Sequence, residues 1–146
     1  MTAKIVNGIA YFGASDGYLY AINAENNELL WKFKTGGPVI IGAEFSDNVI
    51  YTGSYDEYLY AIDAINGREI WRFKSNGKIA CIPLVVKDSI LFTCRDGHTY
   101  RISKDGKEIW RFKTGNDMSF SPAYHKGKIF VGSYDYNMYC IDFDTG

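Results

Sequence analysis

Few residues in this chain have the types and spacings that catalysis or metal binding requires. The two histidines, His98 and His125, form no recurrent metal-ligand pattern with each other or with the cysteines. The three cysteines, Cys81, Cys94 and Cys140, include no adjacent pair. The sequence also lacks a Gly-x-Ser-x-Gly elbow, a phosphate-binding loop and a dinucleotide fingerprint. We therefore expect no catalytic residues, no metal site and no cofactor-binding residues.

Residues that could recognise a partner lie in short polar segments between apolar runs. An aspartate recurs in these segments, each time before a Tyr-rich run, as Asp16, Asp56, Asp96 and Asp135. Each aspartate could bind backbone N–H groups of its own turn, which would be a structural role. The neighbouring residues differ between segments, and Tyr and Arg are favoured in protein interfaces. The candidate binding face comprises Tyr55, Asp56, Lys78, Arg95, Asp96, Asp117, Tyr134 and Asp135.

A repeat with a period near 40 residues positions these segments. Residues 21–35 return as residues 61–75 and again, one residue shorter, as residues 101–114. The tryptophans of the repeats stand 40 and 39 residues apart, at Trp31, Trp71 and Trp110. A fixed period of this length indicates a repeat architecture.

Each repeat divides into four short strands separated by turn signals. In the second repeat we expect strands at 40–46, 49–53, 58–63 and 68–74, with Asn66-Gly67 forming a hairpin turn. One such meander carries large side chains on both faces, and stacking meanders around an axis buries them. Solenoid coils repeat every 20 to 30 residues or so, which is too short. The sequence therefore predicts an all-β fold, a β-propeller of four-stranded antiparallel blades.

The run Ala-x-Asp-x-x-x-Gly-x-x-x-Trp is formed in full by Ala61, Asp63, Gly67 and Trp71. It resembles the tryptophan-docking motif of PQQ-like, quinoprotein-type β-propellers, a family that includes BamB-type proteins. The resemblance covers nearly the entire chain. It implies that each Trp lies flat against the adjoining blade and that Ala and Gly leave room for its ring. The residues with this implied docking role are Ala21, Trp31, Ala61, Gly67, Trp71 and Trp110.

Three positions depart from the family motif. Asn27 stands where the motif has Gly, and Arg101 and Cys140 stand where it has Ala. WD40 repeats have a similar period, but they would place Asp after each Trp. Here each Trp is followed by Lys or Arg and then by Phe, which favours the PQQ-like repeat.

The chain contains about 3.75 repeats, within one domain at 1–146 whose blades lie near 1–37, 38–77, 78–116 and 117–146. Propellers close with about four to eight blades, and PQQ-like propellers resemble those with the larger blade numbers. The blades of this chain would therefore fill about half a ring. Three accounts stay open: a second copy completes the ring as a homodimer, the chain is a piece of a longer protein, or four blades close alone. We expect apolar terminal faces formed by Ile5, Ile9, Tyr11 and Tyr20 at one end and by Phe130, Tyr139 and Ile141 at the other.

Composition argues against several classes of function. The 16 basic and 17 acidic residues leave a net charge of -1, which argues against nucleic-acid binding. The basic residues around each repeated Phe are expected to protect outer strand edges. No apolar stretch approaches the roughly 18 residues of a spanning helix, and no signal peptide is evident, so we expect no membrane insertion. With an odd number of cysteines, cytoplasmic location is favoured; a trimmed precursor would be periplasmic or extracellular.

Three functions are compatible with these patterns. The leading expectation is a non-catalytic scaffold that binds a protein or peptide through one loop face. The family resemblance also implies a quinone-dependent oxidoreductase fragment, although the family's dehydrogenases carry calcium ligands and adjacent cysteines. The third is a propeller fragment or engineered repeat protein without an activity of its own.

Overall fold

The structure, a computed structural model, describes residues 2–146, and every regular element in that range is a β-strand. The strands form four antiparallel sheets, which we call blades 1 to 4 in chain order. Blades 1 to 3 have four strands in sequential order, and blade 4 has three. The predicted all-β propeller of about 3.75 blades is confirmed. Residues 2–146 contain no helix that is long and apolar enough to cross a membrane.

The strands have the following bounds. Blade 1 consists of β1 (Lys4–Val6), β2 (Ile9–Gly13), β3 (Tyr18–Asn23) and β4 (Leu29–Lys34). Blade 2 consists of β5 (Glu44–Ser46), β6 (Val49–Gly53), β7 (Tyr58–Asp63) and β8 (Glu69–Lys74). Blade 3 consists of β9 (Leu84–Val86), β10 (Ser89–Thr93), β11 (His98–Ser103) and β12 (Glu108–Lys113). Blade 4 consists of β13 (Ala123–His125), β14 (Lys128–Gly132) and β15 (Met138–Asp142).

Tight turns with a left-handed backbone join the first two strands of the blades. In blade 1, Asn7 and Gly8 have φ angles of 51° and 75°, and in blade 4, Lys126 and Gly127 have φ angles of 44° and 81°. Positive φ at both central residues is typical of the type I′ turn, whose twist matches that of the flanking strands. These turns set the register in which the short first strand pairs with the second.

The first strand of the second repeat is shorter than the sequence predicts. We expected a strand at 40–46, but β5 begins at Glu44. Val39 and Ala43 are buried without belonging to a strand, because they form the link that packs against the neighbouring blade. Their apolar character reflects burial between blades, which strand patterning alone does not distinguish from a strand. The fourth strand begins one residue later than predicted, at Glu69.

The hydrophobic core is divided among the three seams between consecutive blades. We call the side of a blade that meets the next blade its forward face, and the opposite side its backward face. In the middle seam, Tyr51 and Leu59 from the forward face of blade 2 pack against Phe92 and Tyr100 from the backward face of blade 3. All four are at most 2% exposed. Because side chains alternate along each strand, every internal blade contributes to two seams.

The arc of blades is open at both ends. Within residues 2–146, no hydrogen bond, ion pair or aromatic pair joins blade 4 to blade 1. On the forward face of blade 4, Phe130 is 38% exposed and Met138 is 78% exposed. The residues at the same positions of blade 2, Tyr51 and Leu59, are 2% and 0% exposed. The described residues therefore do not close into a four-blade ring.

The predicted composition of the terminal faces is wrong for four of its seven residues. Residues paired across neighbouring strands share a face, and the faces alternate along a strand. Ile5, Tyr20 and Phe130 lie on the free faces by this rule. The others pack inside the seams with blades 2 and 3, namely Ile9, Tyr11, Tyr139 and Ile141.

Candidate binding face

The repeated tryptophans fasten each blade to the next. Each indole N–H donates a hydrogen bond to a backbone carbonyl 33 residues further along the chain. The pairs are Trp31 with Ala64 at 3.0 Å, Trp71 with Lys104 at 2.8 Å, and Trp110 with Phe143 at 2.9 Å. A buried indole with a satisfied N–H gives both apolar contact and a fixed orientation. Each of the three rings is therefore used in a contact between consecutive blades.

The glycine and alanine of the docking motif act on different tryptophans. Ala61 is paired with Trp71 of its own blade, and Ala21 is paired with Trp31 in the same way. Gly67 instead lies beneath Trp31 of the preceding blade, and a Cβ at Gly67 would be 2.7 Å from the indole. Each motif thus provides the Ala that pairs with its own Trp and the Gly that contacts the Trp of the preceding blade.

Arg101, which replaces the expected Ala, strengthens the third seam. Its Nη1 donates to the carbonyl oxygen of Phe143 at 2.7 Å, so Arg101 and Trp110 share one acceptor. Its guanidinium carbon lies 3.8 Å from the centroid of the Phe143 ring. The Nε group donates to Ser89 Oγ at 3.0 Å. This departure from the motif is therefore explained by packing.

The repeated aspartates are occupied by their own turns and links. In each repeat, one carboxylate oxygen accepts from the N–H two residues further on, and the other accepts from the hydroxyl of the tyrosine four residues further on. The Tyr–Asp distances are 2.6, 2.7, 2.5 and 2.7 Å for Asp16, Asp56, Asp96 and Asp135. The last three also accept from a backbone N–H of the preceding link, at Gly36, Asn76 and Gly115.

For Asp16 and Asp135, these hydrogen bonds stabilise the ionised carboxylate. The Tyr20 hydroxyl holds the pKa of the Asp16 carboxyl below its usual value, and the Tyr139 hydroxyl does the same for Asp135. Burial is the first cause of the raised pKa of the Tyr100 phenol, and its bond to Asp96 adds to it. Among the candidate residues, the aspartates therefore join turn, strand and link within the fold.

Tyr55, Lys78 and Arg95 are brought together on the face that carries the links between blades. The Lys78 ammonium lies 5.2 Å from the centroid of the Tyr55 ring, and the Arg95 guanidinium carbon lies 5.3 Å from it. Arg95 N–H donates to the Lys78 carbonyl at 3.0 Å, and Arg95 Nε donates to Ser119 Oγ at 3.3 Å. Within residues 2–146, neither cation lies within ion-pair distance of a carboxylate.

A second aromatic pair continues this surface towards blade 4. The Phe120 and Tyr134 rings have centroids 5.4 Å apart, and they are 50% and 47% exposed. Tyr134 N–H donates to the carbonyl of Asp117 at 3.1 Å, whereas the Asp117 carboxylate makes no ion pair within the described residues. We call the connected surface the aromatic–basic strip, comprising Tyr55, Lys78, Arg95, Ser119, Phe120 and Tyr134.

Sequence reasoning missed three residues near this surface. Ser119 and Phe120 lie in the last link, and Tyr136 is fully exposed, with a φ of 69°. The preceding repeats have Gly17, Glu57 and Gly97 at the position of Tyr136. A large aromatic residue at a left-handed turn position has no packing reason to be there, and this signal could have identified Tyr136 from the sequence.

The histidines and cysteines do not assemble into a reactive centre. Within residues 2–146, no group of three or more His, Cys, Asp or Glu side chains is arranged to hold a metal ion. All three cysteines are free thiols, and Cys81 and Cys94 are buried. Burial raises the pKa of the Cys81 thiol to about 11 and that of Cys94 to about 12, which keeps both protonated near neutrality.

The model of one protein family matches most of the chain. The family is described as outer membrane protein assembly factor BamB, and its model matches residues 15–146. The chain therefore belongs to this family, and the predicted membership of the PQQ-like propeller repeats is confirmed. No protein among those with curated descriptions matches the chain.

Solved structures with the same fold include natural and designed propellers. BamB from Moraxella catarrhalis superimposes with a TM-score of 0.87 at 19% identity, over 99% of this chain and 46% of that one. The quinohemoprotein alcohol dehydrogenase ADHIIG from Pseudomonas putida HK5 gives 0.85 at 19% identity, over 99% of this chain and 32% of that one. The computationally designed Ika4 protein gives 0.82 at 15% identity, over 96% of this chain and 88% of that one. The chain thus spans about half the length of the BamB structure, and these similarities establish the fold alone.

Proposed function

We propose that this protein is a non-catalytic propeller scaffold that binds a protein or peptide partner through the aromatic–basic strip. The observation that carries the proposal is the position of two cations, Lys78 and Arg95, against the ring of Tyr55 without a carboxylate partner. Arg and Tyr are the residue types most often found at the energetic centres of protein interfaces. The surrounding fold does not require these side chains, because the residues at these positions differ from repeat to repeat.

The chemistry of the strip favours a partner segment with a carboxylate beside an aromatic or aliphatic side chain. The Arg95 and Lys78 charges would meet the carboxylate, and the exposed Phe120 and Tyr134 rings would contact the apolar side chain. The Arg95 side chain is already oriented by Ser119, which reduces the entropy lost on binding. A basic segment would be repelled by the same two cations.

Three labelled peptides of equal length test this proposal by fluorescence anisotropy. The first alternates Asp with Trp, the second has Lys in place of Asp, and the third has Ala in place of Trp. We expect the first to bind most tightly and its affinity to fall as salt concentration rises. Arg95→Gln and Tyr55→Ala should each weaken it by about tenfold. Lys107→Gln, an exposed cation on the hairpin at the other end of its blade, is the matched control and should bind as the parent does.

Two results would contradict this assignment. Equal binding of the acidic and basic peptides would show that the two cations do not select the partner. Unchanged binding by the Arg95 and Tyr55 variants would place recognition elsewhere on the surface.

We also propose that a second copy completes the ring by placing its blade 1 against the forward face of blade 4. The exposed Phe130 and Met138 give this face an apolar surface. On the opposite face, Asn27 has a φ of 61° and places a Cβ where Gly67 leaves room for an indole. Blade 1 therefore differs from the internal blades in leaving no room for a docking indole on its free face. Static light scattering should give the mass of two chains of 16.5 kDa, and a dilution-stable mass of one chain would refute this assembly.

The alternative is a quinone-dependent oxidoreductase. A calcium–quinone site takes several convergent oxygen ligands, among them carboxylates, and residues 2–146 contain no group of three or more His, Cys, Asp or Glu side chains arranged to hold a metal ion. Addition of pyrroloquinoline quinone with calcium should therefore give no dye reduction. Catalytic dye reduction in that assay would contradict the proposal of a non-catalytic scaffold and show that the protein is an enzyme.

A further inference from the structure

Tyr55, Lys78 and Arg95 lie across the seam between blades 2 and 3, in the middle of the chain. Tyr55 comes from the turn between β6 and β7, Lys78 from the link into blade 3, and Arg95 from the turn between β10 and β11. The hydrogen bond from Arg95 N–H to the Lys78 carbonyl holds the two cationic residues side by side. Both side chains reach the ring of the same tyrosine, so two positive charges lie in one small area of the link face.

Most hydrogen-bond donors of the two cations are not used inside the fold. Arg95 Nε donates to Ser119 Oγ at 3.3 Å, and this contact fixes the direction of the guanidinium. Within residues 2–146, neither terminal amino group of Arg95 nor the ammonium of Lys78 donates a hydrogen bond. These N–H groups and both charges are therefore available to a ligand.

The carboxylates beside these cations are held by other contacts or make none with them. Asp56 accepts three hydrogen bonds, two from its own blade and one from the preceding link. Asp96 accepts three in the same arrangement. Among the described residues, neither of these carboxylates nor that of Asp117 forms an ion pair with either cation. A ligand would therefore displace no internal ion pair of Lys78 or Arg95.

Two positive charges on one ring match an anion of two charges better than a carboxylate, which has one. A phosphate monoester has a charge of about −1.5 to −2 near pH 7, and it has three acceptor oxygens. The planar end of the Arg95 guanidinium can donate two parallel hydrogen bonds to such a group, whereas Lys78 can neutralise the remaining charge as a point cation. The chemistry of the pair therefore favours a phosphate monoester.

We propose that Tyr55, Lys78 and Arg95 recognise a phosphotyrosine side chain in an extended segment of a partner protein. Phosphotyrosine unites in one residue the anion and the aromatic ring that the aromatic–basic strip favours. This inference rests on the proposed function, because it names the residue that would occupy the same strip. The phosphate would lie between the Arg95 guanidinium and the Lys78 ammonium, and the attached ring would lie against the aromatic residues of the strip.

Four labelled peptides that differ at one central residue test this inference on the whole chain. The central residue is phosphotyrosine, sulfotyrosine, tyrosine or glutamate. Sulfotyrosine has the shape of phosphotyrosine but a single charge, so it isolates the effect of the second charge. In fluorescence anisotropy we expect the phosphotyrosine peptide to bind about tenfold more tightly than the sulfotyrosine peptide, and the uncharged tyrosine peptide to bind most weakly.

Two variants separate the roles of the two cations. Lys78→Gln removes one charge, so the phosphotyrosine and sulfotyrosine peptides should then bind with similar affinity. Arg95→Lys keeps the charge but loses the planar pair of donors, and it should weaken binding of the phosphotyrosine peptide by about tenfold. Lys107→Gln is again the matched control and should keep the full preference for phosphotyrosine. Circular dichroism of the three variants verifies the fold.

Three results would overturn the inference. The first is equal binding of the phosphotyrosine and sulfotyrosine peptides by the parent chain, and the second is a preference for phosphotyrosine that survives Lys78→Gln. The third is displacement of the labelled peptide by inorganic phosphate as effectively as by phenyl phosphate, since this would show an anion site that does not recognise the ring.

The peptide that alternates Asp with Trp is measured in the same buffer, so that the two proposals can be told apart. If that peptide binds and phosphotyrosine has no advantage over sulfotyrosine, this inference fails and the proposed function stands. If neither the Asp–Trp peptide nor the phosphotyrosine peptide binds, the proposed function fails with it.

Discussion

Substitution of Gly67 by Ala tests whether tryptophan docking holds the blades together. Gly67 has a φ of 70°, and a Cβ there would be 2.7, 2.8 and 2.9 Å from three atoms of the Trp31 ring. Gly8 has a φ of 75°, and a Cβ there would meet no atom within 4 Å, so Gly8→Ala carries only the backbone cost. That cost is about 1–2 kcal/mol for a left-handed L-residue. The two substitutions therefore differ only in the contact with the indole.

The additional loss at Gly67 follows from the geometry of the contact. Carbon atoms ordinarily approach to about 3.5–4.0 Å, so the indole must move by nearly 1 Å. Overpacking of this kind costs about 1–3 kcal/mol. The movement also strains the 3.0 Å hydrogen bond from Trp31 to the Ala64 carbonyl, which contributes about 1 kcal/mol. We expect Gly67→Ala to lower the free energy of unfolding by about 2–4 kcal/mol more than Gly8→Ala does.

Equilibrium unfolding in urea, followed by far-UV circular dichroism, measures both losses. A double-mutant cycle with Trp31→Ala isolates the docking contact, because the excess loss at Gly67 should vanish when the indole is absent. Equal losses for Gly67→Ala and Gly8→Ala would refute docking as the source of the effect. Persistence of the excess loss in the Trp31→Ala background would refute it as well.

Three further predictions concern the same seams and the open end. Trp71→Phe keeps a ring but loses the indole N–H bond, and urea unfolding should show a loss of about 1 kcal/mol or more; no loss would mean the bond is not stabilising. In folded protein diluted to single chains, in which the forward face of blade 4 is uncovered, Ellman's reagent should modify exposed Cys140 before buried Cys81 and Cys94, and the reverse order would contradict the burial. The pKa of Asp142 is lowered to about 2, first by a lysine hydrogen bond. The ionised Asp142 carboxylate should stabilise the fold fully above about pH 4, and this stabilisation should be lost as the pH falls towards 2. The melting temperature of Asp142→Asn should therefore decrease less than that of the parent between pH 4 and pH 2.

The architecture was predictable because the repeat encodes it several times. The spacing of Trp31, Trp71 and Trp110 sets the period, and alternating apolar residues set the strands in each blade. Strand bounds in the middle of a blade were accurate, as at β6 and β7. The bounds of the first strand were predicted less accurately, because a buried link and a buried strand have the same apolar composition.

The residues of the terminal faces were mispredicted because they were chosen by hydrophobicity, whereas the alternation of side chains along a strand decides which face a residue lies on. Tyr11 and Tyr20 are both aromatic and both in blade 1, yet Tyr11 is paired with Ala21 and Tyr20 with Phe12, on opposite faces. A residue's face follows from the register of the pairs and cannot be read from its hydrophobicity. Pairing the strands through the two-residue turns would have assigned these faces correctly from the sequence.

Departure from the repeat does not by itself identify a functional residue. Arg101 departs from the motif, and its side chain is used within the fold, on Phe143, Ser89 and Asp144. Tyr55 and Arg95 also vary between repeats, but their side chains lie at the surface, where Tyr55 contacts Lys78 and Arg95, and Arg95 contacts Ser119. A departure from the repeat therefore points to function only where its side chain has no packing role in the fold. The other repeats show which residue the fold uses at a given position, so each departure in this chain can be compared with the equivalent residues of the other three blades. Several departures without a packing role lie together in the aromatic–basic strip.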